Sequence, residues 1–195
     1  MDASISLTDQ LDKSSIECLN EDSLHRVSNT LSPGIDKYLQ SSPGEGEQLL
    51  IKYKFMNPVK VHSMIIKGLP DGVSSGTAPK TLRLFINSEN LDFQDAESEP
   101  CTQELTLEKN HVETGQKVLL RYVRFQNVNS LAIFIADNYG NDTTKVAYIG
   151  LYGTTATSSK VSHFLFMLFR LKTGNLPRIR KCNSSLPQLN LTLSI

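Results

Sequence analysis

The sequence predicts an all-β domain, either a sandwich or a barrel. Three observations carry that reading. Short segments alternate apolar and polar residues with a period of two, the signature of half-buried strands. Turn-forming clusters of Gly, Pro, Asn, Asp and Ser separate them. No stretch longer than about ten residues keeps a helical period.

Residues 1–14 are polar and read as a flexible N-terminal segment. Residues 20–48 are rich in Asn, Ser, Pro, Gly and charge and read as loop. In 49–55 (LLIKYKF), Leu49, Ile51, Tyr53 and Phe55 point one way and Leu50, Lys52 and Lys54 the other. Met56, Asn57 and Pro58 break this strand, and 59–67 resumes with Val59, Val61 and Ile65 on one face. A loop at 69–80 holds two Gly and two Pro. Leu82, Leu84 and Ile86 then alternate in 81–87 (TLRLFIN), and 88–100 is an acidic loop. After a short apolar patch at Leu105 and Leu107, strands are expected at 117–125, 131–136 and 145–152.

Every residue of 131–136 (LAIFIA) is apolar, so that strand is expected to be covered on both faces. Between it and a core strand at 119–125 lies the polar island Gln126, Asn127, Val128, Asn129 and Ser130. Asn and Ser suit a turn because their side chains bond nearby backbone, so the island reads as structural.

Hydrophobic residues make up 39% of the 195, enough to form a core, and 195 residues suit one domain with a spare tail. Net charge is zero but unevenly placed. All 20 acidic residues precede position 160, against fourteen of the 20 basic ones, which leaves the first 159 residues at −6. An acidic body argues against nucleic acid as a partner. No segment has the roughly 18 apolar residues that a membrane-spanning helix needs; the apolar run 164–169 (FLFMLF) is far shorter. The opening MDASISLTDQ has no secretory leader pattern, and the three cysteines are odd in number, which together predict a reduced, cytoplasmic and nuclear setting.

The residues offer no catalytic constellation. Phosphate-loop, dinucleotide and HExxH patterns are missing. His25, His62, His111 and His163 lie at no metal-ligand spacing, and His62 reads as a half-exposed strand residue on the face opposite Val61. Cys18, Cys101 and Cys182 form no CxxC, and Cys18 and Cys101 read as unpaired, mostly buried thiols. Asp92, Asp95, Glu97 and Glu99 read as a solvated loop, with an oxygen-rich calcium site as the minority reading. No catalytic, cofactor-binding or metal-binding residue is therefore assigned.

Five stretches carry a family resemblance: 17–21 (ECLNE), 47–51 (EQLLI), 55–63 (FMNPVKVHS), 80–87 (KTLRLFIN) and, most specifically, 120–131 (LRYVRFQNVNSL). In order and spacing they resemble the PITH domain, the proteasome-interacting thioredoxin domain. The resemblance runs over about residues 15–155. It implies a jelly-roll-like β-sandwich similar to galactose-binding-like domains. It also implies a protein-binding role with association to the proteasome as its theme, in the form that stands alone without a thioredoxin domain; the chain is read as a non-enzymatic, monomeric adaptor with the proteasome regulatory particle as its expected partner. The alternative is a small-ligand or carbohydrate-binding sandwich, against which the lack of any Trp counts.

Residues 156–195 depart from the family and read as an atypical, poorly ordered tail. From Lys160 onward there are no acids, six positive charges and one apolar run. Lys160, Val161 and Ser162 are what a read-through splice donor would encode, so the tail reads as translated intron. The rival reading is a lineage-specific tail that seeks an acidic partner.

Overall fold

The computed structural model describes residues 4–32, 34 and 36–155. The expectations for residues 156–195, the intron reading from Lys160 and the state of Cys182 among them, lie outside the described residues. In chain order the strands are β1 (Ile5–Ser6), β2 (Glu17–Leu19), β3 (Leu39–Gln40), β4 (Leu49–Lys67) and β5 (Pro79–Ile86). Helix α1 (Phe93–Ser98), β6 (Gln103–Thr106) and helix α2 (Lys109–Thr114) come next. The last strands are β7 (Val118–Leu119), β8 (Val128–Asn138), β9 (Lys145–Val146) and β10 (Tyr148–Thr155).

All of the pairing is antiparallel, and β4 organises it. Its first half pairs with β8 on one side (Ile51↔Ile133) and β2 on the other (Cys18↔Ile51). Its second half pairs with β10 (Leu151↔Met64) and β7 (Leu119↔Ser63). The first layer therefore runs β2-β4-β8-β5-β6 and the second β1-β10-β4-β7, with one strand common to both. The sequence reading put a break at Met56, Asn57 and Pro58. The chain instead stays in strand and shifts register between Lys54 and Val59, the bulge by which a strand turns the corner of a sandwich. Strands β3 and β9 make a separate two-stranded pair.

The main core lies between the layers. It takes Leu49, Ile51, Tyr53 and Phe55 from β4 and Leu131, Ile133 and Ile135 from β8. A second cluster covers the outer face of the first layer, where Leu50, Ala132 and Phe134 meet Leu91 and Ala96. The expectation that 131–136 is covered on both faces is met by these two clusters. The segment 88–100 is not all loop: Asp92 caps α1 by accepting a hydrogen bond from the Asp95 amide, which lets Ala96 seal the second cluster.

Further expectations are corrected. The N-terminal segment is not loose from residue 4 on. Ile5 pairs with Gly153, and Leu7 and Leu11 are buried on either side of a 3₁₀ turn, Thr8–Gln10, that turns both inward. In the second half of β4, Met64 and Ile66 face the core rather than Ile65, because a bulge between Val61 and Ser63, opposite Tyr152 and Gly153, reverses the alternation. The loop at 20–48 contributes the buried Val27, Thr30 and Leu39. Finally, 119–125 is no core strand. Only Val118 and Leu119 pair, a 3₁₀ turn follows at Tyr122–Arg124, and burial falls on Leu120 and Phe125 alone.

The polar island is structural, but Val128, Asn129 and Ser130 open β8 rather than forming a turn, and Asn87 holds them. Asn87 sits at the left-handed φ of 56°. Its Oδ1 accepts from the amides of Asn129 (2.8 Å) and Ser130 (3.3 Å), and its Nδ2 donates to the Asn127 carbonyl at 3.1 Å. Asn87→Ala loses those bonds and places a Cβ where only Asn and Gly sit easily. The expected cost is about 2–3 kcal/mol by chemical denaturation. Asn87→Gly keeps the backbone freedom and should cost about 1 kcal/mol less than the alanine variant. Equal losses would mean that φ contributes nothing here.

Candidate interaction surface

The misread segment 117–125 opens onto the most distinctive surface of the domain. In β10, Ile149 and Leu151 enter the core, so Tyr148, Gly150 and Tyr152 face out from the second layer. In β4, Met64 and Ile66 enter the core, so Ser63, Ile65 and Lys67 face out beside them. Ser63 pairs with Tyr152 on one side and Leu119 on the other, which sets those three side chains in one row.

The rings are held in place. Tyr148 lies across Gly150, where an added Cβ would come within 2.9 Å of its ring, and its hydroxyl is 3.4 Å from that of Tyr152. Burial, with Tyr152 alongside, pushes the Tyr148 phenol up to about 12, so it stays neutral at physiological pH. The Lys117 ammonium sits 4.0 Å from the centroid of the Tyr152 ring. Tyr122 meets the His62 ring edge to face at 4.6 Å. His62 is half-buried, as the sequence suggested, but its Nε2 is enclosed and finds no hydrogen-bond partner among the described residues.

Large apolar groups then stand in solvent: Leu119 is 77% exposed, Val123 86% and Tyr122 45%. The 3₁₀ turn that presents them is anchored by the buried Phe125, whose carbonyl accepts from the Val61 amide. Around them lie Lys67, Lys117, Arg121 and Arg124, none ion-paired with a carboxylate among the described residues. Acidic side chains cluster on and around α1, over the outer face of the first layer, and Glu108 and Glu113 stand at the margin of this face on α2, which packs beside Ile65 and Lys67. An exposed apolar group ringed by aromatic and Arg side chains is the usual composition of a protein-binding patch. Sequence reasoning missed it because it assigned these same residues to the core.

The sites weighed from sequence are not brought together. Cys18 packs at the edge of the main core and Cys101 at the edge of the second cluster, on opposite faces of the first layer, and both are free thiols. Burial, with Glu21 and Glu17 nearby, pushes the Cys18 thiol far up, so it stays protonated and a poor nucleophile. With no resolving thiol beside it among the described residues, no turnover is expected in an insulin-reduction assay with a dithiol reductant. Turnover that disappears in Cys18→Ser would contradict this. Among the described residues no group of three or more His, Cys, Asp or Glu could hold a metal ion. Nor is any helix among them long and apolar enough to cross a membrane. A cleft of about 450 Å³ adjoins the outer face of the second layer, sharing Lys67 and Tyr148 with it and lined also by Tyr38, Leu69 and Pro70; it had no signal in the sequence.

Residues 1–166 match the family model of the PITH domain. The chain belongs to the PITH domain family. Among its relatives is thioredoxin-like protein 1 of Schizosaccharomyces pombe, 39% identical over 76% of this chain and 51% of that protein. The chain thus spans about half the length of that relative. PITH domain-containing protein 1 of Dictyostelium discoideum is 30% identical, covering 80% of this chain and 76% of that one. In fold, the PITH domain is similar to the family 32 CBM from Clostridium perfringens NanJ, solved in complex with galactose. The TM-score is 0.58 at 13% identity, covering 77% of this chain and 99% of the other. The galactose-binding-like β-sandwich expected from sequence is the fold of this PITH domain.

Proposed function

We propose that this chain is a non-enzymatic docking module that binds the proteasome, through its regulatory particle, as a monomer in the cytoplasm and nucleus. The observation that carries the reading is the open face of the second layer, with Leu119, Tyr122 and Val123 exposed among cations that make no ion pair with a described carboxylate, on a PITH domain. Such a face suits a large, water-soluble protein partner. The decisive experiment is co-sedimentation of the purified chain with purified 26S proteasomes on a glycerol gradient. The chain should move with the proteasome peak; if it stays at the top at micromolar concentrations of both, the reading fails.

The 450 Å³ cleft favours a second reading, a small-ligand site, since its volume and its two tyrosines suit a small polar ring compound. Titration calorimetry with galactose tests it, and no heat at millimolar sugar counts against it.

A further inference from the structure

The outer face of the second layer has a composition that specifies more than a protein. Its apolar residues are interleaved with cations, while the first 159 residues carry a net charge of −6. The cations are therefore locally concentrated rather than a sample of the average surface. On the paired strands of this face, Tyr148, Gly150 and Tyr152 of β10 lie beside Ser63, Ile65 and Lys67 of β4 and Leu119 of β7, with no carboxylate among them. The aromatic groups are pre-positioned by Gly150 and His62, and Lys117 is steered by the Tyr152 ring, so little side-chain freedom remains to be lost on docking.

We propose that this face takes an acidic, apolar segment of a protein partner. Leu119, Tyr122 and Val123 receive its apolar side chains, and Lys117, Arg121 and Arg124 its carboxylates. The inference rests on the protein-docking reading above. Two other occupants fit less well. A nucleic acid would bring a long run of phosphates close to a body that is acidic overall, and its repulsion would oppose the local attraction. A second copy would have to offer its acidic α1 side to this face. Such a contact joins two different patches and does not close, so it would grow chains rather than a dimer.

The test uses the full chain and a fluorescein-labelled peptide of repeated Glu-Leu-Asp-Phe, read by anisotropy. Its counterpart carries Lys in place of each acid, and a single-stranded oligonucleotide is the third probe. The acidic peptide should bind at least about tenfold tighter than either of the others, and added salt should weaken it. Lys117→Glu with Arg121→Glu should reduce that binding at least about tenfold, and so should Leu119→Ser with Val123→Ser. Lys13→Glu, an exposed cation outside this face, should leave it unchanged. These side chains are exposed or project into solvent, so matching thermal melts should show that the charge variants fold. Equal binding of the acidic and basic peptides, an unaffected double charge variant, tighter binding of the oligonucleotide, or a mass that grows with concentration would each overturn the proposal. The gradient separates this from the proteasome reading. If the wild-type chain binds the acidic peptide but does not sediment with proteasomes, only the proteasome reading falls. If wild type and the double charge variant co-sediment equally, only this inference falls.

Discussion

Replacing Gly153 by alanine should lower the stability of the domain by about 3 kcal/mol or more. Gly153 lies where the β10–β4 ladder slips register, between the pairs Tyr152↔Ser63 and Gly153↔Val61. A Cβ there would fall on the Lys60 carbonyl oxygen, which is backbone and has no rotamer to escape into. Leu7 Cδ1, 3.1 Å away, closes the other direction. Relief requires β10 to lift off β4, and with it β1, which pairs at Ile5↔Gly153. Urea unfolding of wild type and Gly153→Ala measures the loss. A change below about 1 kcal/mol would show that the bulge yields at low cost.

Ile133→Ala should cost about 2–5 kcal/mol, through lost burial and the cavity left behind. Ile133 is fully buried at the centre of β8, between its partners Ile51 on β4 and Leu84 on β5, which are fully buried too. The surroundings cannot collapse into the space, since the strand is hydrogen-bonded on both edges and Phe134 and Ala132 are packed on its other face. Ile133→Val should cost only about 0.5–1.5 kcal/mol. A loss under about half a kcal/mol for the alanine variant would place β8 at the periphery of the core.

These two sites differ in how visible they were. Ile133 lies in a run apolar at every position, and such a run has few places to go in an all-β chain. The alternation of 49–55 was equally legible, since a half-buried strand writes its two faces into the sequence. Gly153 is different: its constraint comes from the Lys60 carbonyl of a distant strand. The reversal from Ile65 to Met64 and Ile66 was hidden for the same reason, because a bulge is set by how two strands meet. Leu7 and Leu11 were missed because two leucines in a polar stretch have no periodicity to read. The candidate surface was hidden more deeply. Leu119, Tyr122 and Val123 are apolar, and nothing local distinguishes apolar residues that fill a core from apolar residues kept in water. The neighbouring cations could not correct the error, because the chain-wide charge count averaged them against acids spread over the whole domain.

The pairing of β1 with β10 has a consequence for how the domain is made. Ile5 is synthesised well before its partner Gly153, with nearly the whole of the described domain between them. At synthesis rates of roughly 5–20 residues per second, the first strand waits on the order of ten seconds for a ladder to join. Throughout that interval Leu7 lacks the Leu151 carbonyl on which its amide docks, while Leu11 can already meet Phe55 of β4. The nascent chain therefore presents an unclosed sandwich, with β4 available to wrong partners, until its final strand emerges. Because β1 closes only on β10, completion of β10 is the step at which the described sandwich can shut.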